Sequence, residues 1–305
     1  MDTALIVFRQ TVVMFLYMFA GYILFKTEKM TIKGSRDIAS MLLWLVIPTV
    51  IVNSFCTERS SAKVIELLQS SLMGAVALIL AMAIAAALLK KNPIDDFGAA
   101  FSNAGFIGIP LVQAALGDEA VFWIVGMIAM LNMLQWTYGV RIMTGEKSAV
   151  GLKNILFNPI VAGVLIGLVL FLTGAGGHMP GVLQTMLTGV SAVNAPLAMI
   201  VLGSYLAQSD IGKMLTSPHL YWVSAVRLIV IPVITLIVFR FIPFRPDMLL
   251  AVFISASAPI GANVAVYAQL HDKDYPYACQ TVALSTLLSI VTLPLVLMAA
   301  DAILM

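Results

Sequence analysis

Two stretches of this chain gather amides, hydroxyls, glycines and prolines where almost everything around them is hydrocarbon. The first runs Ser102-Asn103-Ala104-Gly105-Phe106-Ile107-Gly108-Ile109-Pro110-Leu111-Val112-Gln113; the second runs from Ser255 through Ser257, Pro259, Gly261 and Asn263 to Tyr267. Asn103 and Asn263 carry amides that can donate hydrogen bonds, and Gln113 and Tyr267 add further polar tips. Proline removes a backbone donor and crowds the preceding turn, while glycine opens dihedrals that other residues resist, so each stretch reads as a helix interrupted midway. An interruption exposes the first N–H groups of the half-helix that follows, with their partial positive charge. Neither stretch contains Asp or Glu; Asp95, Asp96, Asp118 and Glu119 are expected to flank the first, and Glu66 to sit at the mouth of the preceding helix. Amide donors and positive helix ends without a carboxylate suit an anion, suit a cation poorly, and lack the buried acid of a carboxylate proton relay. Asn103, Gly105, Gly108, Pro110, Gln113, Pro259, Gly261, Asn263 and Tyr267 are therefore expected to form a substrate site, the glycines and prolines shaping it and the asparagines donating to the anion.

Unwound backbone facing lipid costs several kcal/mol per unpaired group, so such breaks persist only where they are buried or line a cavity. The rest of the chain has the character this demands. Of 305 residues, 61% are hydrophobic and 10% charged, against about 25% charged in soluble domains. Apolar blocks recur near 4–25, 38–56, 67–89, 97–116, 119–140, 155–173, 182–207, 220–242, 248–269 and 278–300, which predicts ten transmembrane helices, each of about 20 residues as a ~30 Å hydrocarbon core requires. No hydrophilic stretch is long enough for a soluble domain. The expected class is an all-α, polytopic, multi-pass protein whose partner is the lipid bilayer.

Short connections orient it. Lys26, Lys29, Lys33, Arg36, Lys90, Lys91, Arg141, Lys147, Lys153, Lys213 and Lys273 fall on one side, and Arg9, Arg59, Lys63, Arg240 and Arg245 on the other, eleven against five. The positive-inside rule then places both termini outside the cytoplasm. Clustered charge follows the first apolar block rather than preceding it, so that block is expected to be a retained helix and not a cleaved signal. The halves correspond: Pro48 matches Pro196 at an offset of 148, and Ile107-Gly108 matches Ile260-Gly261 at 153. An odd number of spans per half inverts the second, giving five-helix repeats at 1–145 and 153–305 joined by a polar link near 145–151. Paired interrupted segments in inverted repeats point to the binding site of a secondary transporter.

At these residues the chain resembles the auxin efflux carrier family. The likeness rests on Asn103-Ala-Gly105-Phe-Ile-Gly108-Ile-Pro110-Leu111 followed by Gly117, on Pro259-Ile-Gly261, and on Arg227-Leu-Ile-Val-Ile-Pro232, and it extends over essentially the whole chain. It implies that spans four and nine cross at their prolines, that spans 1, 2, 6 and 7 form a scaffold, and that spans 3–5 and 8–10 form a transport domain moving like an elevator. It also implies a homodimer in the cell membrane carrying organic anions: auxin in plants, malonate- or malate-like acids in bacteria. The long central loop of the plant members is absent here, so the chain reads as a bacterial relative.

Asn132, Gln135, Asn194 and Ser285 could line the same cavity, or serve as hydrogen bonds between helices, worth about 0.6 kcal/mol each. Arg227 lies inside a span, where an arginine either serves function or snorkels to the interface. His178, His219 and His271 lack metal-ligand spacing. Cys56 and Cys279 are expected at opposite membrane faces, which precludes a disulfide. No catalytic triad, phosphate loop or cofactor motif stands out and no basic tract suggests nucleic acid, so neither an enzyme nor a cofactor is expected. Besides an anion carrier with an unspecified coupling ion (H⁺ or Na⁺), the sequence admits a sodium-coupled solute symporter, a non-transporting anion sensor and, less readily, an ion channel.

Overall fold

The computed structural model describes residues 3–145 and 158–304. Lys147, Lys153, residues 146–151 of the link and the start of the block at 155–173 lie outside the described residues. The described chain is mostly helical: α1 Thr3–Lys26, α2 Ile32–Ser54, α3 Ser61–Leu88, α4 Pro93–Ala100, α5 Ala104–Leu116, α6 125–144, α7 Pro159–Thr173, α8 Gly181–Gln208, α9 Ile211–Thr216, α10 Pro218–Arg240, α11 Pro246–Ala256, α12 Asn263–Leu270 and α13 Tyr275–Leu304. Five of these, α2, α3, α8, α10 and α13, have 23 to 30 residues and are apolar enough to cross a bilayer. At 1.5 Å per residue, 28 residues reach roughly 42 Å, beyond the ~30 Å core. Large apolar side chains such as Trp44, Leu68, Ile79 and Val291 are exposed on their outer faces. This is an all-α membrane protein. Helices α2 and α3 begin six residues before the apolar blocks at 38 and 67, because Thr31 and Ser60 cap polar first turns that hydropathy does not detect.

Four helices widen into a π-helical turn, at Leu42–Val46, Ala104–Gly108, Gln135–Gly139 and Val226–Val230. Three of these turns stand directly before Ile47-Pro48, Ile109-Pro110 and Ile231-Pro232. A proline ring clashes with the carbonyl four residues back and offers it no N–H; one wide turn relieves both. The Pro-rich signature of the sequence thus becomes local slack in α5 of the first interrupted segment and in its neighbours α2 and α10.

The interruptions are backbone facts. Helix α4 ends at Ala100 and α5 begins at Ala104, while α11 ends at Ala256 and α12 begins at Asn263. The two breaks meet as a short antiparallel bridge between Ser102 and Ile260. The N–H of Asn103 donates to Pro259 O at 2.8 Å, and that of Gly261 to Phe101 O at 3.1 Å. Each break supplies the hydrogen bonds the other has lost, which is how unwound chain survives in the apolar interior. Around this crossing, α1 packs against α8 and α2 against α7, while α3, α6, α10 and α13 pack around the interrupted helices. At the first of these contacts Gly203 lies so close to the backbone of Met18 that a Cβ could not be accommodated.

Candidate functional site

The crossing depends on glycines where chains touch. A Cβ on Gly261 would stand 3.2 Å from the carbonyl oxygens of Phe101 and Ser102, and one on Gly108 would stand 2.9 Å from Ser255 Oγ. Ser285 fixes the second break from α13, its hydroxyl accepting from Ile260 N at 3.3 Å and donating to Val282 O at 3.0 Å. Ser285 is therefore a support of the break.

Asn103 caps α5. Its Oδ1 accepts from Phe106 N at 3.2 Å, and its own carbonyl accepts from the N–H groups of Ile107 and Gly108. With the amide oxygen turned to the helix, the amide nitrogen must point away, and this buried Nδ2 has no partner. Asn263 Nδ2 donates to Gln135 Oε1 at 2.8 Å, leaving Gln135 Nε2 buried and unpartnered. Exchanging both amide orientations would move the spare NH₂ from Gln135 to Asn263 without removing it. Asn132 is satisfied locally, donating to Ile128 O at 2.8 Å. Asn103, Asn132, Asn263 and Gly105 line a cavity between the crossing and helices α2, α6 and α7, with Leu43, Ile47 and Ile160 forming its apolar side; no charged residue lines it. Its volume is about 30 Å³. One water needs at least ~10–15 Å³, so this conformation is shut around space for little more than solvent. An organic acid would require α2 and α7 to separate from the breaks.

Arg227 does not snorkel. It is 1% exposed in the wide turn of α10. Its Nε donates to Ala258 O and its Nη1 to Ala99 O, both at 3.0 Å, while Nη2 donates to Ala256 O. One guanidinium thus ties together the carboxyl-terminal ends of α4 and α11. These are the negative ends of two helix dipoles, and a cation neutralises them there. The positive ends, at α5 and α12, remain on the cavity side.

Three expected residues lie elsewhere. Gln113 lies three helical turns along α5, donating to Asp118 Oδ1 at 2.8 Å. It lines a second cavity of about 470 Å³ with Lys63, Glu66, Trp123 and Arg245. Arg245 pairs with Glu66 at 2.6 Å and with Asp247, and these acids hold its guanidinium above its ordinary pKa. The Tyr267 ring packs against Phe97 and Trp136, and its buried hydroxyl is unpartnered. Asn194 is fully buried at a kink in α8, before Pro196, with neither amide atom partnered. Pro259 lies at the crossing, its carbonyl accepting from Asn103 N, whereas Pro110 does not: it lies inside α5 just after the wide turn, eight residues past Ser102, so only the second interrupted span crosses at its proline.

The expectation that Asp95 and Asp96 flank the membrane segment is corrected. They occupy the first turn of α4 and are 1% and 6% exposed. Asn92 caps the helix and Pro93 starts it, so the helix begins four residues before the apolar run. Buried acid is therefore present near the crossing, although not in its cavity. Among the described residues, no cluster of His, Cys, Asp and Glu could hold a metal ion, and both cysteines are free.

The profile of a family described as membrane transport protein matches residues 6–151 and 148–297. An uncharacterized transporter of Methanothermobacter thermautotrophicus is 30% identical over 202 residues, covering 65% of this chain and 64% of the relative. A Rhizobium meliloti protein named "Putative malonate transporter" is 23% identical over 219 residues, covering 67% of each. The chain thus matches about two thirds of the length of these relatives.

Proposed function

The chain belongs to the membrane transport protein family, the family of the auxin efflux carriers, and from that premise we propose that it is a secondary carrier of small organic anions, carboxylates first among them. Its relatives are transporters, not enzymes. The observation that carries the anion assignment is the pair of spare amide donors, Asn103 Nδ2 and the NH₂ left over from the Asn263–Gln135 pair. A buried donor without an acceptor costs about 1–3 kcal/mol; a carboxylate in the cavity would satisfy Asn103, and the second donor when the amide pair presents its NH₂ from Asn263, which lines the cavity as Gln135 does not. Electrostatics support the same sign: the cavity lining is uncharged and α5 and α12 present their amino ends, each worth about 0.3–1 kcal/mol to an anion. The malonate named for the Rhizobium relative belongs to this substrate class.

The carrier is proposed to have ten spans in two inverted repeats, α4 with α5 and α11 with α12 each counting as one, and both termini outside the cell membrane of a bacterium. The pairing of α1 with α8 and of α2 with α7 supports a scaffold of spans 1, 2, 6 and 7. The cavity lies between that scaffold and the crossing, so sliding one unit past the other would expose it alternately, as an elevator does. The 470 Å³ cavity, where Lys63 and Arg245 stand among Glu66, Asp118 and Glu119, would be its outer vestibule. Dimerisation would be through the scaffold.

A sodium-coupled symporter would use break carbonyls to hold Na⁺. Arg227 already ligates three such carbonyls, those of Ala99, Ala256 and Ala258, which favours a sodium-independent carrier. The test is counterflow in proteoliposomes preloaded with malonate, malate or lactate. Saturable uptake of a labelled acid, competed by its analogues and unchanged when potassium replaces sodium, is expected. Abolition by sodium removal would favour the symporter, and binding without exchange would favour a sensor.

A further inference from the structure

Asp95 and Asp96 are neighbours in sequence with opposite circumstances. Asp95 is fully engaged: Oδ1 accepts from the Tyr277 hydroxyl and Oδ2 from His219 Nε2, both at 2.7 Å. The pair of bonds ties α4 to α10 and α13. Asp96 is buried to a similar degree, yet among the described residues its Oδ1, one of its two carboxylate oxygens, lies out of solvent and meets no donor.

The groups on the packed elements do not compensate for this. His219 and Tyr277 are committed to Asp95. On α6, Tyr138 lies within electrostatic reach of both Asp96 and Arg141, but Arg141 is exposed, as are Lys90 and Lys91 before α4. On α12, Tyr267 faces Phe97 through its ring, and the ring of His271, just past the helix, lies tilted 6.3 Å from it. In α10, Arg227 is spent on carbonyls. None of these forms a hydrogen bond or ion pair with Asp96. A buried carboxylate oxygen without a donor is a place where a proton can be held.

We propose that Asp96 is a proton-binding site that couples proton movement to anion movement, an inference that rests on the carrier reading above. Asp96 precedes Asn103 by seven residues on the same interrupted segment, in α4, the helix that gives way to the break. The proton site and the amide donor thus belong to one unit and travel together. Ionised Asp96 adds one negative charge to that unit on top of the bound anion's own, and a proton on the carboxylate removes it. The form with the added charge is the harder one to move against an apolar scaffold. Loading an anion therefore favours taking up H⁺ on Asp96 at one face and releasing it at the other, with no bond made or broken besides that O–H. The half-exposed ring of His219 marks where the cluster opens to water.

The test uses the full chain in proteoliposomes, with whichever of malonate, malate and lactate gives the largest counterflow. Wild-type protein should accumulate the labelled acid when the lumen is made alkaline. Asp96→Asn, a neutral stand-in for the protonated acid, should keep counterflow within about threefold while losing at least tenfold of pH-driven accumulation; Asp96→Glu should retain both. In weakly buffered detergent solution, adding the acid should draw protons from a pH dye with wild type and not with Asp96→Asn. Undiminished accumulation in Asp96→Asn, loss of its counterflow as well, or no proton uptake by a wild type that does exchange the acid overturns the proposal. Failure of wild type to exchange any of the three acids refutes the carrier reading instead.

Discussion

Replacing Arg227 with methionine keeps most of the side chain's bulk and removes its charge and its donors. Three carbonyl oxygens, of Ala99, Ala256 and Ala258, then lose their partner in an interior from which the arginine is 1% exposed. At about 1–3 kcal/mol per unpaired buried group the simple sum is roughly 3–9 kcal/mol. Relief of the arginine's own desolvation lowers this, and breaking a buried charged network typically costs about 3–5 kcal/mol. At about 2–4 °C per kcal/mol, the midpoint of thermal unfolding in detergent should fall on the order of 10 °C. Arg227→Lys keeps the charge without the planar fork and should lose about half as much. Function should respond separately. Neutralising two negative helix ends is worth about 0.3–1 kcal/mol each, so counterflow by Arg227→Met should show an affinity weakened roughly 3- to 30-fold. A midpoint within about 2 °C of wild type, together with an unchanged affinity, would refute the view that this guanidinium holds the crossing together.

Asn103 has two separable duties, and Asn103→Asp divides them. The carboxylate still caps α5 through an oxygen, so stability should change by less than about 1 kcal/mol, but the donor becomes a negative charge and anion counterflow should fall at least tenfold; Asn103→Ala should lose both. Alanine at Asn103 and Asn263 together, with unchanged affinity, would sink the anion-site assignment. Gly261→Ala forces a methyl to within 3.2 Å of two backbone oxygens across the crossing and should cost about 1–3 kcal/mol, read as a lower unfolding midpoint, whereas Gly181→Ala, where a Cβ would meet open space, should be neutral.

The sequence alone determined the solvent and the location of the breaks. A chain with 10% charge and recurring apolar blocks has no soluble alternative. Pro and Gly act through their own backbone, so Pro259 and Gly261 announced the second break without knowledge of any neighbour; Gly108 and Pro110 pointed to the right segment but lie inside α5, six and eight residues past the crossing at Ser102. Asn103 was equally legible, since its capping partner Phe106 is three residues away. What escaped depended on partners far along the chain. Gln113 shares a segment with Asn103 yet faces another cavity, because three helical turns separate them on α5. Asn263 was read as a free donor, but Gln135, 128 residues away, takes that bond. Asp95 and Asp96 read as flanking charge because hydropathy averages over a window and cannot detect the cap at Asn92 or the burial that α10 and α13 impose. Arg227 left two readings open in one dimension, and only the folded chain brings Ala99, 128 residues away, against its guanidinium. Periodicity and backbone preference are local properties and are written in the sequence. Which polar group is paired and which is left over is settled by tertiary packing, and in this membrane protein the proposed site rests on that remainder.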